Sequence, residues 1–150
     1  MEIKNKKAYF DYTVLKEYTA GIELKGTEIK SIRNGSANLN DSFVTFKNNE
    51  AYALNIYIAK YEEGNIFNHD ERRTRRLLLH KKEIRKLKEM KEQDGISIIP
   101  LKIFFSKNYA KLLIGVCKGK KLYDKRDTEK AKDDKRHIDK EIKNRNNANY

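Results

Sequence analysis

"ISIIPLKIFFS" (96–106) and "YAKLLIGVC" (109–117), joined by the dipeptide "KN" (107–108), decide the fold class. Both runs are rich in β-branched and aromatic residues, have strand length, and are separated by only two turn-compatible residues, so they read as an antiparallel hairpin. Pro100 lacks the N–H that a sheet ladder needs, which places its strand at an edge or gives it a bulge. A second hairpin spans "SFVTFKNNEAYALNIYIAKY" (42–61), with "KNNE" as its turn and Tyr52, Leu54, Ile56 and Ile58 alternating with period two.

Upstream, residues 1–8 are polar and basic and read as a short arm, while "YFDYTVLKEY" (9–18) fits helix and strand spacing alike. "AGIELKG" (20–26) reads as a short strand bounded by glycines. Thr27 is placed to cap a short helix, "TEIKSIRNG", in which Ile29 and Ile32 share an edge and Asn34-Gly35 supplies the stop. "EEGNIFNHDERRT" (62–74) is a polar loop. "LLLHKKEIRKLKEM" (77–90) begins as strand and becomes helix, with Ile84, Leu87 and Met90 on one stripe and Gly95 as the stop. Five or six short antiparallel strands with two or three helices predict a mainly β protein. A small closed or half-closed barrel suits a chain of 150 residues.

The apolar fraction is 38% and the charged fraction 37%, against about 45–50% and about 25% in an average globular domain. The imbalance collects at the C-terminus, so the barrel domain is expected over 1–117 and a basic tail over 118–150. The tail holds 12 Lys and Arg against 7 acids and has no Gly or Pro after Gly119. Such a segment is expected to be disordered when free and helical when docked, its ordering entropy supplied by binding. A purely solubilising tail is the bland alternative.

Net charge is +12 with a pI near 9.6, which argues for a polyanionic partner, nucleic acid ahead of an anionic membrane surface. Cys117 is the single cysteine and sits in an apolar run, so an internal disulfide and a cysteine zinc site are excluded and a buried, inert thiol is expected. "MEIKNKKAYFDY" has no signal-peptide character and no run reaches membrane-spanning length, so a soluble, cytoplasmic protein is expected.

Enzyme readings find little support. His69 and Asp70 in "NHD" would suit a metal-dependent nuclease, yet they lack a second carboxylate or histidine at ligand spacing. His80 and His137 stand among cations without ligand partners. The seven glycines form no phosphate loop, and no nucleophile–base pair is visible. Neither catalytic residues, nor a metal, nor a cofactor is expected. The basic segments are more informative: "RRTRRLLLHKKEIRKLK" (72–88) has nine cations and one acid. Arg72, Arg73, Arg75 and Arg76 crowd the mouth of a strand, where guanidinium forks suit phosphate oxygens. Without a helix-turn-helix or zinc finger, RNA is a better partner than duplex DNA.

Four stretches resemble the SsrA-binding proteins (small protein B): "NKKAYFDY" (5–12), "AGIELKGTEIKSIRNGSANLNDSF" (20–43), "YEEGNIFNHDERRTRRLLLHKKEI" (61–84) and "GKKLYDKR" (119–126). The resemblance implies an oligonucleotide-binding-type barrel with accessory helices and a basic tail. It implies binding to the tRNA-like domain of transfer-messenger RNA and delivery of that RNA to stalled ribosomes for trans-translation. A generic barrel-type RNA-binding or ribosome-associated protein is the alternative.

By motif, the resemblance implies tRNA-like-domain contacts from Thr19, Gly21, Leu78 and His80. Phosphate contacts would be added by Asn5, Lys6, Lys7, Arg72, Arg75 and Arg76. Gly119, Lys120, Lys121, Tyr123, Asp124, Lys125 and Arg126 would face the ribosomal decoding centre, where Tyr123 stacks on a base. Lys132, Lys135, Arg136, Ile138, Lys140, Ile142 and Lys143 would lie in the messenger channel. The implied partners are transfer-messenger RNA and small-subunit ribosomal RNA, with elongation factor Tu and alanyl-tRNA synthetase reached through the shared RNA. The protein itself is expected to be a monomer. The chain departs from the family pattern at Thr19, where Glu usually precedes "AG", at Glu71, which replaces a proline and is expected to loosen its loop, and in having no tryptophan.

Overall fold

The computed structural model describes residues 2–61 and 68–120. In chain order the elements are β1 (Glu2–Lys4), α1 (Lys6–Asp11), β2 (Tyr12–Ile22), α2 (Gly26–Arg33), β3 (Ala37–Asn38), β4 (Phe43–Lys47), β5 (Glu50–Leu54), β6 (Tyr57–Ile58), β7 (Arg75–Leu78), α3 (Lys81–Lys91), β8 (Ile96–Ser106) and β9 (Tyr109–Gly119). Seven strands form one sheet in the order β1-β8-β9-β2-β7-β5-β4, and β3 pairs with β6. The edge strand β4 also packs against β8, so the sheet curls back on itself into a small barrel-like body. Met1–Lys118 form one compact unit.

Both expected hairpins are present. β8 and β9 pair from Ile96↔Lys118 to Ser106↔Tyr109, and β4 pairs with β5 from Phe43↔Leu54 to Lys47↔Glu50. Each turn places both central residues in the left-handed region, Asn48 (φ 51°) with Asn49 (φ 63°) and Lys107 (φ 50°) with Asn108 (φ 68°). That geometry matches the right-handed twist of the flanking strands. β8 lies between β1 and β9, so Pro100 is not on an edge strand; of the two options, the bulge between Pro100 and Lys102 is the one realised. The period-two run from Tyr52 to Ile58 is broken at Asn55 (φ 63°), which sends Tyr57 and Ile58 to β3 instead.

The bulge sets the packing. Ile98, Ile103, Leu112, Ile114 and Val116 face the barrel interior with Ala20, Leu77, Ile32 of α2 and Ile84 and Leu87 of α3. On the other face of the hairpin, Ile99, Leu101 and Cys117 are buried with Ala8 of α1. Gly115 is required here, because a Cβ on it would lie 2.6 Å from Leu101 Cδ1.

Several expectations are corrected. The expected arm over 1–8 is not one: within it Glu2–Lys4 form β1, paired to β8, and α1 begins at Lys6. Asn5 is 2% exposed: its Oδ1 accepts the Ala8 N–H, and its Nδ2 donates to the carbonyls of Leu39 (3.1 Å) and Pro100 (2.9 Å). A side chain sealed in this way is a structural clasp and not a phosphate ligand. The ambiguous stretch 9–18 divides between α1 and β2. Lys25, not Thr27, stands at the cap position of α2, where its N–H donates to Glu28. α3 ends at Lys91, with Glu92 as its C-cap, short of Gly95 (φ 77°).

Candidate nucleic-acid interface

β2 and β7 are paired with Gly21 opposite Leu78. Side chains alternate across the sheet, so Ala20, Ile22 and Leu77 enter the core while Thr19, Gly21, Arg76 and Leu78 face outward. Leu78 is 48% exposed, unusual for a leucine in a central strand. A Cβ on Gly21 would come within 3.1 Å of Leu78 Cβ, so the glycine lets the leucine lie across β2. Immediately after β7, exposed His80 opens α3, its N–H donating to the Glu83 carboxylate (3.1 Å). Thr19, Gly21, Arg76, Leu78, His80 and Lys111 line one open cleft of about 360 Å³. The structure thus brings together Thr19, Gly21, Leu78 and His80, which are separated by up to 61 positions in sequence.

The four arginines do not act as one cluster. Arg75 is fully buried: it pairs with the buried carboxylate of Glu28 and donates to the carbonyls of Ile56 (2.8 Å) and Glu71 (3.3 Å). Its assignment as an RNA contact is therefore incorrect, since strand alternation turns it inward between two outward-facing neighbours. Arg73 holds the other oxygen of Glu28 at 2.6 Å. Burial by itself raises a carboxyl's pKa, but hydrogen bonds from Arg73 and the Lys25 N–H, with the charge of Arg75, outweigh it and hold Glu28 below its ordinary value. Glu28 is thus an anion supplied from within the protein, held jointly by Arg73 and Arg75.

Arg76 faces outward but lies between Glu50 (3.0 Å) and Glu23 (3.2 Å). Arg72 lies over the Tyr57 ring, 5.3 Å from its centroid, and donates to Asn55 Oδ1 (3.0 Å). Lys6 is exposed, while Lys7 pairs with Asp41 at 2.8 Å. Further exposed cations lie on α3 at Lys81, Lys82, Arg85 and Lys86. Glu71 does not loosen its loop: its carboxylate accepts from the Tyr57 hydroxyl (2.9 Å) and its carbonyl accepts the Ile58 N–H (2.9 Å).

His69 is 2% exposed, with Nε2 donating to the Ile58 carbonyl (2.9 Å) and Nδ1 accepting from the Thr27 hydroxyl (2.8 Å). Both ring nitrogens are engaged, which leaves neither for a metal or a proton transfer and removes the nuclease reading of "NHD". Among the described residues no group of three or more His, Cys, Asp or Glu side chains could hold a metal. Among them too, no helix is long and apolar enough to cross a membrane.

The pattern of the family described as "SmpB protein" matches residues 2–144. This chain belongs to the SmpB family. It is 56% identical over 142 residues to the SsrA-binding protein of Staphylococcus epidermidis, covering 95% of this chain and 91% of that one. Against the SsrA-binding protein of Enterococcus hirae the identity is 53% over 141 residues, covering 94% and 92%. Among solved structures, a chain from "tmRNA-SmpB: a journey to the center of the bacterial ribosome" is similar with a TM-score of 0.70 and 48% identity, over 81% of this chain and 85% of that chain. None of these matches is to a catalytic family.

Of the residues that the SmpB resemblance assigns to the ribosome, Gly119 closes β9 and Lys120 follows it. Lys121, Tyr123, Asp124, Lys125 and Arg126 lie outside the described residues, as do Lys132, Lys135, Arg136, Ile138, Lys140, Ile142 and Lys143. Sequence reading missed Lys111, which enters the cleft from β9, and Glu28, which organises two of the arginines. Glu28 carried a signal: it is the one acid in a helix otherwise marked by Lys30 and Arg33.

Proposed function

We propose that this chain is an RNA-binding adaptor that binds transfer-messenger RNA and serves trans-translation on stalled ribosomes. The observation that carries this is the 48% identity and TM-score of 0.70 to a chain of the structure described as "tmRNA-SmpB: a journey to the center of the bacterial ribosome". The exposed Thr19–Gly21–Leu78–His80 cleft supports it, because those residues are far apart in sequence and meet on one open face. In this reading the cleft receives the tRNA-like domain, and Lys6, Arg72 and the α3 cations add phosphate contacts. "GKKLYDKR" meets the decoding centre, and the tail, through its cations, Ile138 and Ile142, occupies the messenger channel. Elongation factor Tu and alanyl-tRNA synthetase act on the same RNA, and the protein works as a cytoplasmic monomer. Competition binding tests the reading: transfer-messenger RNA should displace ordinary tRNA, and equal affinity for the two would overturn it.

A further inference from the structure

Beyond the cleft, the outward face of the sheet continues onto β8 and β9. The bulge between Pro100 and Lys102 shifts the alternation, so Ile99 and Leu101 are buried with Ala8 of α1 whereas Lys102 and Phe104, on the same face, are half-buried. Across the hairpin, Phe104 pairs with Lys111, Lys102 with Leu113, and Ser106 with Tyr109. The Lys102 ammonium lies 5.1 Å from the Phe104 centroid, Tyr109 is 71% exposed, and Lys111 reaches the wall of the Thr19–Leu78 cleft. Exposed Tyr109 and half-buried Lys102, Phe104 and Lys111 therefore interleave aromatic rings and lysines on a strand surface that borders the cleft.

We infer that this face is a stacking platform for unpaired RNA bases: Phe104 and Tyr109 receive nucleobases, and Lys102 and Lys111 receive the flanking phosphates. The inference rests on the RNA-adaptor reading and extends its site across two more strands. Flat rings on a sheet, spaced by cations, suit successive bases and their backbone. A protein partner fits the pattern less well, because lysines are depleted from the cores of protein interfaces. Glu2 stands opposite Phe104 on β1 and pairs with Lys102 (3.3 Å), so Lys102 must leave that carboxylate and the Phe104 ring to take a phosphate, while Lys111 already lines the cleft.

The test uses the full chain with three probes: a transcript of the tRNA-like domain, an unstructured oligo(A), and a blunt RNA duplex of equal length. Tyr109→Ala should weaken the first two by roughly tenfold, with Tyr109→Phe restoring them, since stacking needs the ring and not the hydroxyl. The salt slope should be unchanged by Tyr109→Ala and reduced by about 0.7 by Lys111→Met, as a single-strand phosphate contact requires. Tyr109 is too exposed to be needed for folding, and circular dichroism checks this. Affinities within twofold of wild type for both Tyr109→Ala and Phe104→Ala would overturn the platform. So would an equal loss on the duplex, or intact binding to all three RNA probes with lost ribosome co-sedimentation, which would give the face to the ribosome instead. If wild type fails to prefer transfer-messenger RNA over tRNA, the adaptor reading falls, while oligo(A) still judges the platform.

Discussion

Replacing Arg75 by Ala leaves the Glu28 carboxylate buried beside a single remaining cation. Loss of one partner of a buried pair costs about 3–5 kcal/mol, so Arg75→Ala should unfold at much lower denaturant. Arg76→Ala, one residue along, removes only solvent-screened, exposed ion pairs and should leave the unfolding midpoint close to that of wild type in the same experiment. The two variants separate structure from surface at adjacent positions. Glu28 also gives a pH dependence with a definite sign. Its folded pKa lies below the ordinary value of 4.5, so its contribution is complete above that pH and is lost as pH falls through the depressed value. Glu28→Gln should flatten the acid side of the stability profile in urea melts from pH 5 downward. Burial pushes the Cys117 thiol up to about 11, so a thiol reagent at neutral pH should label it only on unfolding.

At the scale of the element, the β8–β9 hairpin carries two liabilities that can be measured. Gly115 accommodates Leu101, and Gly115→Ala should lower stability by about 1–3 kcal/mol through overpacking, read from thermal melts. Lys107 holds φ at 50°, a conformation an asparagine tolerates better than a lysine. Lys107→Asn should therefore raise stability by about 0.5 kcal/mol; an unchanged or lower melting temperature would count against turn strain there. Both hairpins were legible from their runs and two-residue turns because pairing between neighbours in sequence is a local property. β1 and α1 were not: the strand is three residues long and the helix six, and each is held by β8 or by the Asn5 clasp. Neither has enough periodicity to announce itself.

For the whole molecule, β9 continues to Gly119, so a truncation that tests the tail belongs after Lys120 and not after Cys117. The 1–120 fragment should keep most affinity for transfer-messenger RNA and lose tagging of stalled products in a cell-free translation assay. Loss of RNA binding instead would assign the RNA contact to the tail. The net charge of +12 foretold a polyanion, but it did not say which cations meet it. Arg72, Arg73, Arg75 and Arg76 are equivalent in composition, yet one stacks on Tyr57, two hold Glu28 and one lies between Glu23 and Glu50.

Hydrophobic alternation, the two asparagine-containing turns and the clustered charge suffice by themselves for a small β barrel with a polyanionic partner, because these depend on residues near one another in the chain. Which side chains face that partner was decided only in three dimensions. Strand alternation, counted from a bulge at Pro100 and from the pairing of Gly21 with Leu78, turns Arg75 into the core and Lys111 toward the cleft. A shift of one residue in either register reverses those directions, and registers between distant strands are set by packing across the whole sheet.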